Sequence, residues 1–399
     1  MTGTKNTVMP EAYQGREQAY IKHRLLESYL EKLFMIIGMS SGRLGITEIC
    51  YVDCFAGPWS DESKDLSDTS IAISLQILDR CRQALGRRGM KLRLRALYIE
   101  KNKTAFTRLQ TYLSEQTPSG IDATALHGDF VLLREQILAW CGNKSFAFFF
   151  VDPTGWKDVG VPVLQPLLLR PQSEFLINFM YNDINRTASM SKGRDDITEF
   201  LGEAVALDNL PPAEREKLLL SAYRGNLKRN LHVGGKWVAR SAYVRVLDRQ
   251  KERAKYHLVY LTGHPRGIIE FMEISEKLDL VQKRVRESTK QNTRAEKSGM
   301  KDLFRPDEYV NPEQGHVSLN EVEQYWLTHL SRDTRRIGEE EFADLIESTD
   351  WFPGDFQRAL TSLIETGKAR NLDAPKKRPK KPLHWEKEGE RLQLTEGKI

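Results

Sequence analysis

Asp53, Glu100, Asp129 and Asp152 each stand at or just past the end of a short apolar run, beside small residues or proline. The stretches are Ile49–Trp59 (ICYVDCFAGPW), Ala96–Glu100 (ALYIE), His127-Gly128-Asp129-Phe130 and Phe146–Trp156 (FAFFFVDPTGW). A run that is apolar throughout reads as a strand buried on both faces, and an open α/β sheet binds its ligand at the carboxyl ends of such strands. Asp53, followed by Phe55-Ala56-Gly57, lies where backbone can approach a ligand closely. Glu100 lies where a carboxylate can take two ribose hydroxyls. Asp152 and the Pro153 carbonyl can take the hydrogens of an amine. Singly, each has a plainer reading: Phe55–Pro58 as a tight strand-to-helix turn, Glu100 as a solvated strand end, Trp156 as a cap on the sheet core. Their order along the chain favours one site.

The elements that would position these groups alternate. Strands are expected near 48–54, 92–99, 123–127, 146–151 and 174–180, with helices at 71–85, 102–115, 130–141 and 161–169 between them. Alternation of this kind with right-handed crossovers gives a doubly wound sheet. Arg16–Ile37 carries apolar residues at 20, 21, 25, 26, 29, 30, 33, 34 and 37, a helical stripe that would cover the sheet. Tyr256–Leu261 and Arg266–Lys277 would add a last strand and a second cover helix.

On these residues the chain resembles the class I S-adenosylmethionine-dependent methyltransferases, and within them the three-Cys-motif partner proteins. The resemblance spans roughly residues 15 to 280. It implies that Asp53, Phe55, Ala56 and Gly57 hold the amino-acid part of S-adenosylmethionine, that Glu100 holds the ribose, and that Asp129 and Phe130 lie near the adenine. Asp152, Pro153 and Trp156 would then face the transferred methyl group, with Trp156 stacking on a base. It also implies a phage Gp37/Gp68-like three-Cys-motif protein as partner. Two positions depart from the wider pattern: Trp59 stands where many relatives have a second glycine, and the acceptor motif reads Asp-Pro-Thr-Gly-Trp in place of Asp-Pro-Pro-Tyr. Asp-Pro-Thr-Gly also resembles the acceptor motif of guanine-amino transfer-RNA methyltransferases, so DNA and RNA both stay open as substrate.

Composition excludes several classes. With 40% hydrophobic and 29% charged residues in 399, the chain is ordinary for a soluble protein of two or three domains. No apolar stretch spans a bilayer and Met1–Pro10 lacks signal-peptide character, so a cytoplasmic enzyme without a membrane role is expected. The four cysteines form no Cys-x-x-Cys pair and the eight histidines no His-x-x-x-His face, so no metal site is expected. Cys54 beside Asp53 reads better as packing than as a nucleophile. A nicotinamide enzyme is disfavoured, because Asp53-x-Phe-Ala-Gly replaces the Gly-x-Gly-x-x-Gly turn.

The remaining chain divides into three. Residues 1–282 form the α/β domain, interrupted at about 181–255 by a helical insertion with helices at Ile197–Leu207 and Pro211–Lys228. Asn178 and Arg186, where the fifth strand meets this insertion, read equally as substrate ligands and as turn formers. Residues 283–312 are charged, carry eight basic side chains by residue 305 and lack apolar periodicity, which reads as a basic linker. Residues 313–399 read as a winged helix: Ser318-x-x-Glu321 opens a helix, Glu339–Glu347 and Pro353–Thr366 follow, and strands at Lys368–Leu372 and Leu383–Glu388 flank a basic loop. Nucleic acid would meet Arg358 on the third helix and Lys376, Lys377, Arg378, Lys380 and Lys381 in the loop.

The fold class expected is therefore α/β, a doubly wound Rossmann-like methyltransferase sheet with a helical insertion and a C-terminal winged helix. The function expected is S-adenosylmethionine-dependent methylation of nucleic acid, at a base amino group. The competing reading is a catalytically degenerate methyltransferase-fold scaffold that binds DNA or a partner protein through its winged helix.

Overall fold

The computed structural model describes residues 9–10, 13–57, 69–190, 193–251, 253–298, 315, 317–374, 376, 378 and 381–395. Five parallel strands form the centre: β1 (Glu48–Asp53), β2 (Arg93–Glu100), β3 (Ile121–His127), β4 (Ser145–Val151) and β5 (Ser173–Phe179). Two further strands, β6 (Arg240–Leu247) and β7 (Ala254–Thr262), pair antiparallel with each other, and β7 runs antiparallel to β5. The seven strands stand in the order β3-β2-β1-β4-β5-β7-β6. Strand order reverses between β1 and β4, and such a switch point opens a crevice at the carboxyl edge.

Continuous apolar sequence makes these strands interior. Every residue of β4 and β5 is buried. Alternation along each strand then feeds two separate cores. Tyr51, Tyr98, Phe148, Phe150 and Leu176 point into one, beneath α1 (Glu17–Leu44) and α2 (Ser70–Gly86). Val52, Leu97, Phe149, Val151 and Ile177 point into the other, beneath α4 (Phe130–Cys141), α5 (Val161–Leu168), α6 (Tyr181–Ala188), α7 (Arg194–Leu201) and α8 (Pro212–Asn230). A crossover helix α3 (Lys103–Gln116) joins β2 to β3.

The crossover helices start on caps that the sequence supplies. The side chains of Thr69, Asn102 and Asp129 accept from the backbone N–H groups of Ala72, Ala105 and Val131 at 3.2, 3.0 and 2.9 Å. Each start therefore lies beside the carboxyl edge of the sheet.

Three expectations for the residues up to 312 are corrected. The helix expected at Arg266–Lys277 is α9 (Pro265–Ser298), which runs on through half of the segment read as a basic linker over 283–312. Val285 joins the core, while Arg286, Thr289 and Gln291 are buried polar residues that apolar periodicity does not register. Thr289 donates to Glu17 at 3.4 Å and Arg286 to the Lys251 carbonyl at 3.1 Å. Residues 299–314 lie outside the described residues. The insertion at about 181–255 is helical only as far as Asn230 and then supplies β6. Within it, the helix expected at Ile197–Leu207 ends at Leu201, where Gly202 takes a left-handed conformation.

The C-terminal part contains α10 (Leu319–His329), β8 (Arg335–Ile337), α11 (Glu339–Thr349), α12 (Pro353–Glu365), β9 (Ala369–Asn371) and β10 (Glu390–Leu394), with the strands ordered β8-β10-β9. The strand expected at Leu383–Glu388 is displaced to β10. Residues Leu383 and Trp385 are buried instead, and the Gln357 amide bonds both the N–H and the carbonyl of Leu383, at 3.1 and 2.9 Å. This part packs on the α/β domain. Arg224 pairs with Asp350 at 2.8 Å and Lys228 with Glu347 at 2.6 Å, while Arg240 pairs with Asp344. The Glu347 carboxylate also accepts the Ser241 N–H of edge strand β6 at 2.9 Å, which satisfies a group that an open sheet edge leaves bare. Among the described residues, no helix is long and apolar enough to cross a membrane.

Val285→Asp tests the extended helix. A packed Val285 predicts a loss of about 2 kcal/mol or more in unfolding free energy by denaturant titration. A change within about 0.5 kcal/mol would mark the segment as solvated linker.

Candidate active site

The carboxyl edge collects the acids in strand order. Asp129 follows β3, Glu100 ends β2, Asp53 ends β1, Asp152 follows β4, and Asn178 lies next to last in β5. Adjacent strands lie ~4.8 Å apart, so the row spans roughly 19 Å. Strand alternation adds a second constraint. Glu100 is two residues beyond Tyr98, Asp53 two beyond Tyr51, Asp152 two beyond Phe150 and Asn178 two beyond Leu176, so all four inherit the face covered by α1 and α2. One strand register thus aims four polar side chains the same way.

Asp53 is fully buried. It accepts from the Ser70 hydroxyl at 2.7 Å, the Phe55 N–H at 3.2 Å and, more weakly, the Tyr51 hydroxyl at 3.4 Å. Burial pushes its pKa up to about 6; the bonds from Ser70 and Phe55 oppose the rise, the Asp152 carboxylate adds to it and the Lys22 ammonium reduces it. Beyond it the chain turns closely under β2 and β4: the N–H of Cys54 donates to the Phe150 carbonyl at 2.9 Å, and that of Ala56 to the Ile99 carbonyl at 2.8 Å. Gly57 donates to the Phe55 carbonyl at 2.9 Å. Pro58, Trp59 and the residues on to 68 lie outside the described residues.

Glu100 is buried, and the backbone N–H of Asn102 donates to its carboxylate. Its carbonyl accepts the Gly128 N–H at 3.0 Å, tying β2 to the turn ahead of α4. Gly128 has φ of 151°, a conformation that admits glycine and few other residues. Asp129 caps α4 and takes the Lys101 ammonium at 2.6 Å, whose hydrogen bond is the main cause holding its carboxyl below the usual range. Phe55 and Phe130 meet at 5.0 Å between ring centroids, which closes the turn after β1 against the start of α4.

Asp152 is gripped from both sides. Lys22 of α1 forms an ion pair with one carboxylate oxygen, and the Asn178 amide donates to the other at 2.8 Å. Lys22 is a functional candidate that the motif reading lacks. Its signal lies in position, since 22, 26, 29 and 33 fall on one helical line whose other members, Leu26, Tyr29 and Leu33, are buried. A lysine facing the core side of a cover helix needs an acid to meet.

Beyond Asp152 the expected site residues diverge. Pro153 is buried, and Trp156 packs edge-on against Phe200 of α7 at 5.2 Å, in the sheet-capping arrangement. Phe200 in turn stacks on Tyr223, whose hydroxyl donates to the Val159 carbonyl at 2.6 Å. The insertion therefore buttresses the segment after Asp152. Arg186 is exposed and paired with Asp183 at 2.9 Å. On α12, Asp355 and Gln357 are buried, and Arg358 bonds Glu276 of α9 at 3.1 Å and Asp355 at 2.6 Å. Arg378 bonds Glu390 at 2.6 Å, while Lys376 is exposed and Lys381 stands 4.0 Å from Glu273. Lys377 and Lys380 lie outside the described residues.

No protein-family model matches the chain. No curated protein matches it either. Solved structures resemble it loosely. Protein LPL1258 from Legionella pneumophila aligns at 10% identity over 60% of this chain and 85% of its own, with a TM-score of 0.32. The O-methyltransferase TomG from Streptomyces achromogenes, solved with S-adenosylmethionine, aligns at 11% identity over 64% and 90%, with a TM-score of 0.30. A loganic acid methyltransferase solved with S-adenosylhomocysteine aligns at 11% identity over 99% and 97%, with a TM-score of 0.27. Superpositions this loose leave the site to be read from its own strand order and side chains.

Asp53 yields a prediction whose sign is unusual for an aspartate. Its folded pKa of about 6 lies above the ordinary value of ~3.9, so the folded state holds the proton more tightly than the unfolded chain. The resulting penalty is absent below about pH 4, grows through the window up to about pH 6 and is complete above it. Asn at this position keeps an acceptor for Ser70 or Phe55 and carries no charge. Asp53→Asn is expected to stabilise the ligand-free protein by roughly 1–3 kcal/mol at pH 7.5, with the gain vanishing near pH 4. Denaturant unfolding at the two pH values measures it; destabilisation at pH 7.5 would contradict the burial argument.

Proposed function

We propose that the chain is an S-adenosylmethionine-dependent methyltransferase acting on nucleic acid, at a base amino group. The observation that carries the reading is the single row of Glu100, Asp53, Asp152 and Asn178, turned to one face at the switch point of a doubly wound sheet. Its residues fit the cofactor. Glu100 has a buried carboxylate for ribose hydroxyls, Phe130, packed on Phe55, serves the adenine end, and the turn from Asp53 to Gly57 brings backbone close to the amino-acid end. When bound, S-adenosylmethionine supplies a sulfonium methyl group to a nucleophile held in line with it.

The chain's part is positioning. Asp152 offers carboxylate oxygens to the hydrogens of an acceptor amine, and the Pro153 carbonyl can take the second hydrogen. Asn178 fixes the plane of that carboxylate. Exposed Lys376 and Lys381 of the C-terminal part support contact with a phosphate backbone through charge alone. The C-terminal order α-β-α-α-β-β accords with a winged helix, docked as a fixed extension of the α/β domain. Membership of the three-Cys-motif partner family, with a phage Gp37/Gp68-like companion, and a cytoplasmic setting belong to the same proposal.

One observation favours the scaffold reading. In the ligand-free protein Asp152 is already paired with Lys22, and Trp156 is packed on Phe200, so neither is free to meet a base without rearrangement.

Labelled S-adenosylmethionine, incubated with the purified full chain and with unmethylated DNA or RNA, separates the two readings. Label is expected in a methylated base, falling ~100-fold or more in Asp152→Ala. No transfer to either polymer, with nucleic-acid binding unaffected by Asp152→Ala, would assign the chain to the scaffold class.

A further inference from the structure

Among the described residues, Lys22 is the one side chain that bonds the acceptor acid from outside the sheet. Its own side chain is 15% exposed and that of Asp152 17%, so the pair is largely shielded from water. Asn178 is more deeply placed, at 5% exposure. A carboxylate only accepts hydrogen bonds, so the Asn178 nitrogen must face Asp152, and its Oδ1 must point away. That Oδ1 is buried and has no hydrogen-bond partner among the described residues. A buried carbonyl left in this state costs free energy unless a ligand completes it.

These groups have a definite complement. Lys22 presents an ammonium, Asp152 a carboxylate, and Asn178 an unsatisfied acceptor beside that carboxylate. A zwitterionic α-amino acid offers the reverse: a carboxylate for the lysine and an ammonium for the amide oxygen. It can enter between the two members of the ion pair with no net charge carried into the site. The Lys22–Asp152 ion pair is exchanged for one between Lys22 and the ligand carboxylate, and the orphan oxygen gains a donor. A simple carboxylate matches less well, because it would take Lys22 and bring no donor to the orphan oxygen.

Resting on the proposed cofactor, we infer that Lys22 binds the carboxylate of the cofactor's amino-acid end, and so releases Asp152 from the ion pair that α1 imposes on it. Lys22 is then both a ligand of the cofactor and the switch that frees the acceptor acid. The packed Asp152 of the ligand-free protein, which otherwise counts toward a scaffold, becomes the resting state of an enzyme that exposes its acceptor group only with cofactor in place.

The test is titration calorimetry of the full chain with two probes, S-adenosylhomocysteine and S-adenosyl-3-thiopropylamine, which keeps the ammonium and lacks the carboxylate. Wild type is expected to bind the first ~10- to 100-fold more tightly, the range of a charge-assisted bond, and Lys22→Met to erase that preference. Lys22→Arg, which keeps the charge and guards against a folding defect, is expected to retain part of it. Both probes binding with a preference that survives in Lys22→Met would overturn the role of Lys22 and leave the cofactor reading standing. Wild type binding neither probe would overturn both.

Discussion

A strand buried on both faces leaves its polar groups no place except its ends, and this constraint organises the molecule. β4 and β5 have no exposed residue, so Asp152 and Asn178 mark where the chain first meets a polar environment. Alternation then fixes direction as firmly as burial fixes position. Because Tyr51, Tyr98, Phe150 and Leu176 all enter the core under α1 and α2, the groups two residues later turn to the same side. A slip of one residue in any of these strands would send its polar group to the opposite face.

The cover helix α1 completes the arrangement. It is held over the sheet by apolar packing and by a buried polar knot in which the hydroxyls of Tyr29, Tyr260 and Thr262 donate to Glu174 at 2.9, 2.7 and 2.8 Å. Burial raises the Glu174 pKa, and the three donors partly offset that rise. Tyr29 sits seven residues after Lys22 on the same helical line. Fixing one therefore fixes where the other meets Asp152. The distant end of α9 contributes too, since Thr289 bonds Glu17 near the start of α1.

Much of this was legible in the residues and some was not, for identifiable reasons. The five central strands and their crossover helices stand within a few residues of their expected places, because uninterrupted apolar runs and side-chain caps are local signals. Strand β6 escapes the same reading: Arg240, Tyr243 and Arg245 interrupt it, and Arg240 is buried only because Asp344 and Glu347, about a hundred residues later, neutralise it. The second half of α9 escapes because Val285 is followed on its buried face by Arg286, Thr289 and Gln291 rather than by further aliphatic residues. Arg358, named from its place on the third helix as a nucleic-acid contact, is engaged within the protein: Glu276 takes it and also accepts the Gly354 N–H at 3.0 Å, locking the start of that helix onto α9. Motif order located the acids, while Lys22 required a view of which face of α1 meets the sheet.

The central claim is that the turns after β1, β2, β3 and β4 surround one adenosyl ligand. Backbone hydrogen exchange, followed by mass spectrometry with and without saturating S-adenosylhomocysteine, addresses all four turns in a single measurement. The account predicts concerted protection at 53–57, 100–102, 128–131 and 152–156, with the C-terminal part unchanged. Protection confined to one of these segments, or falling elsewhere on the molecule, would contradict it.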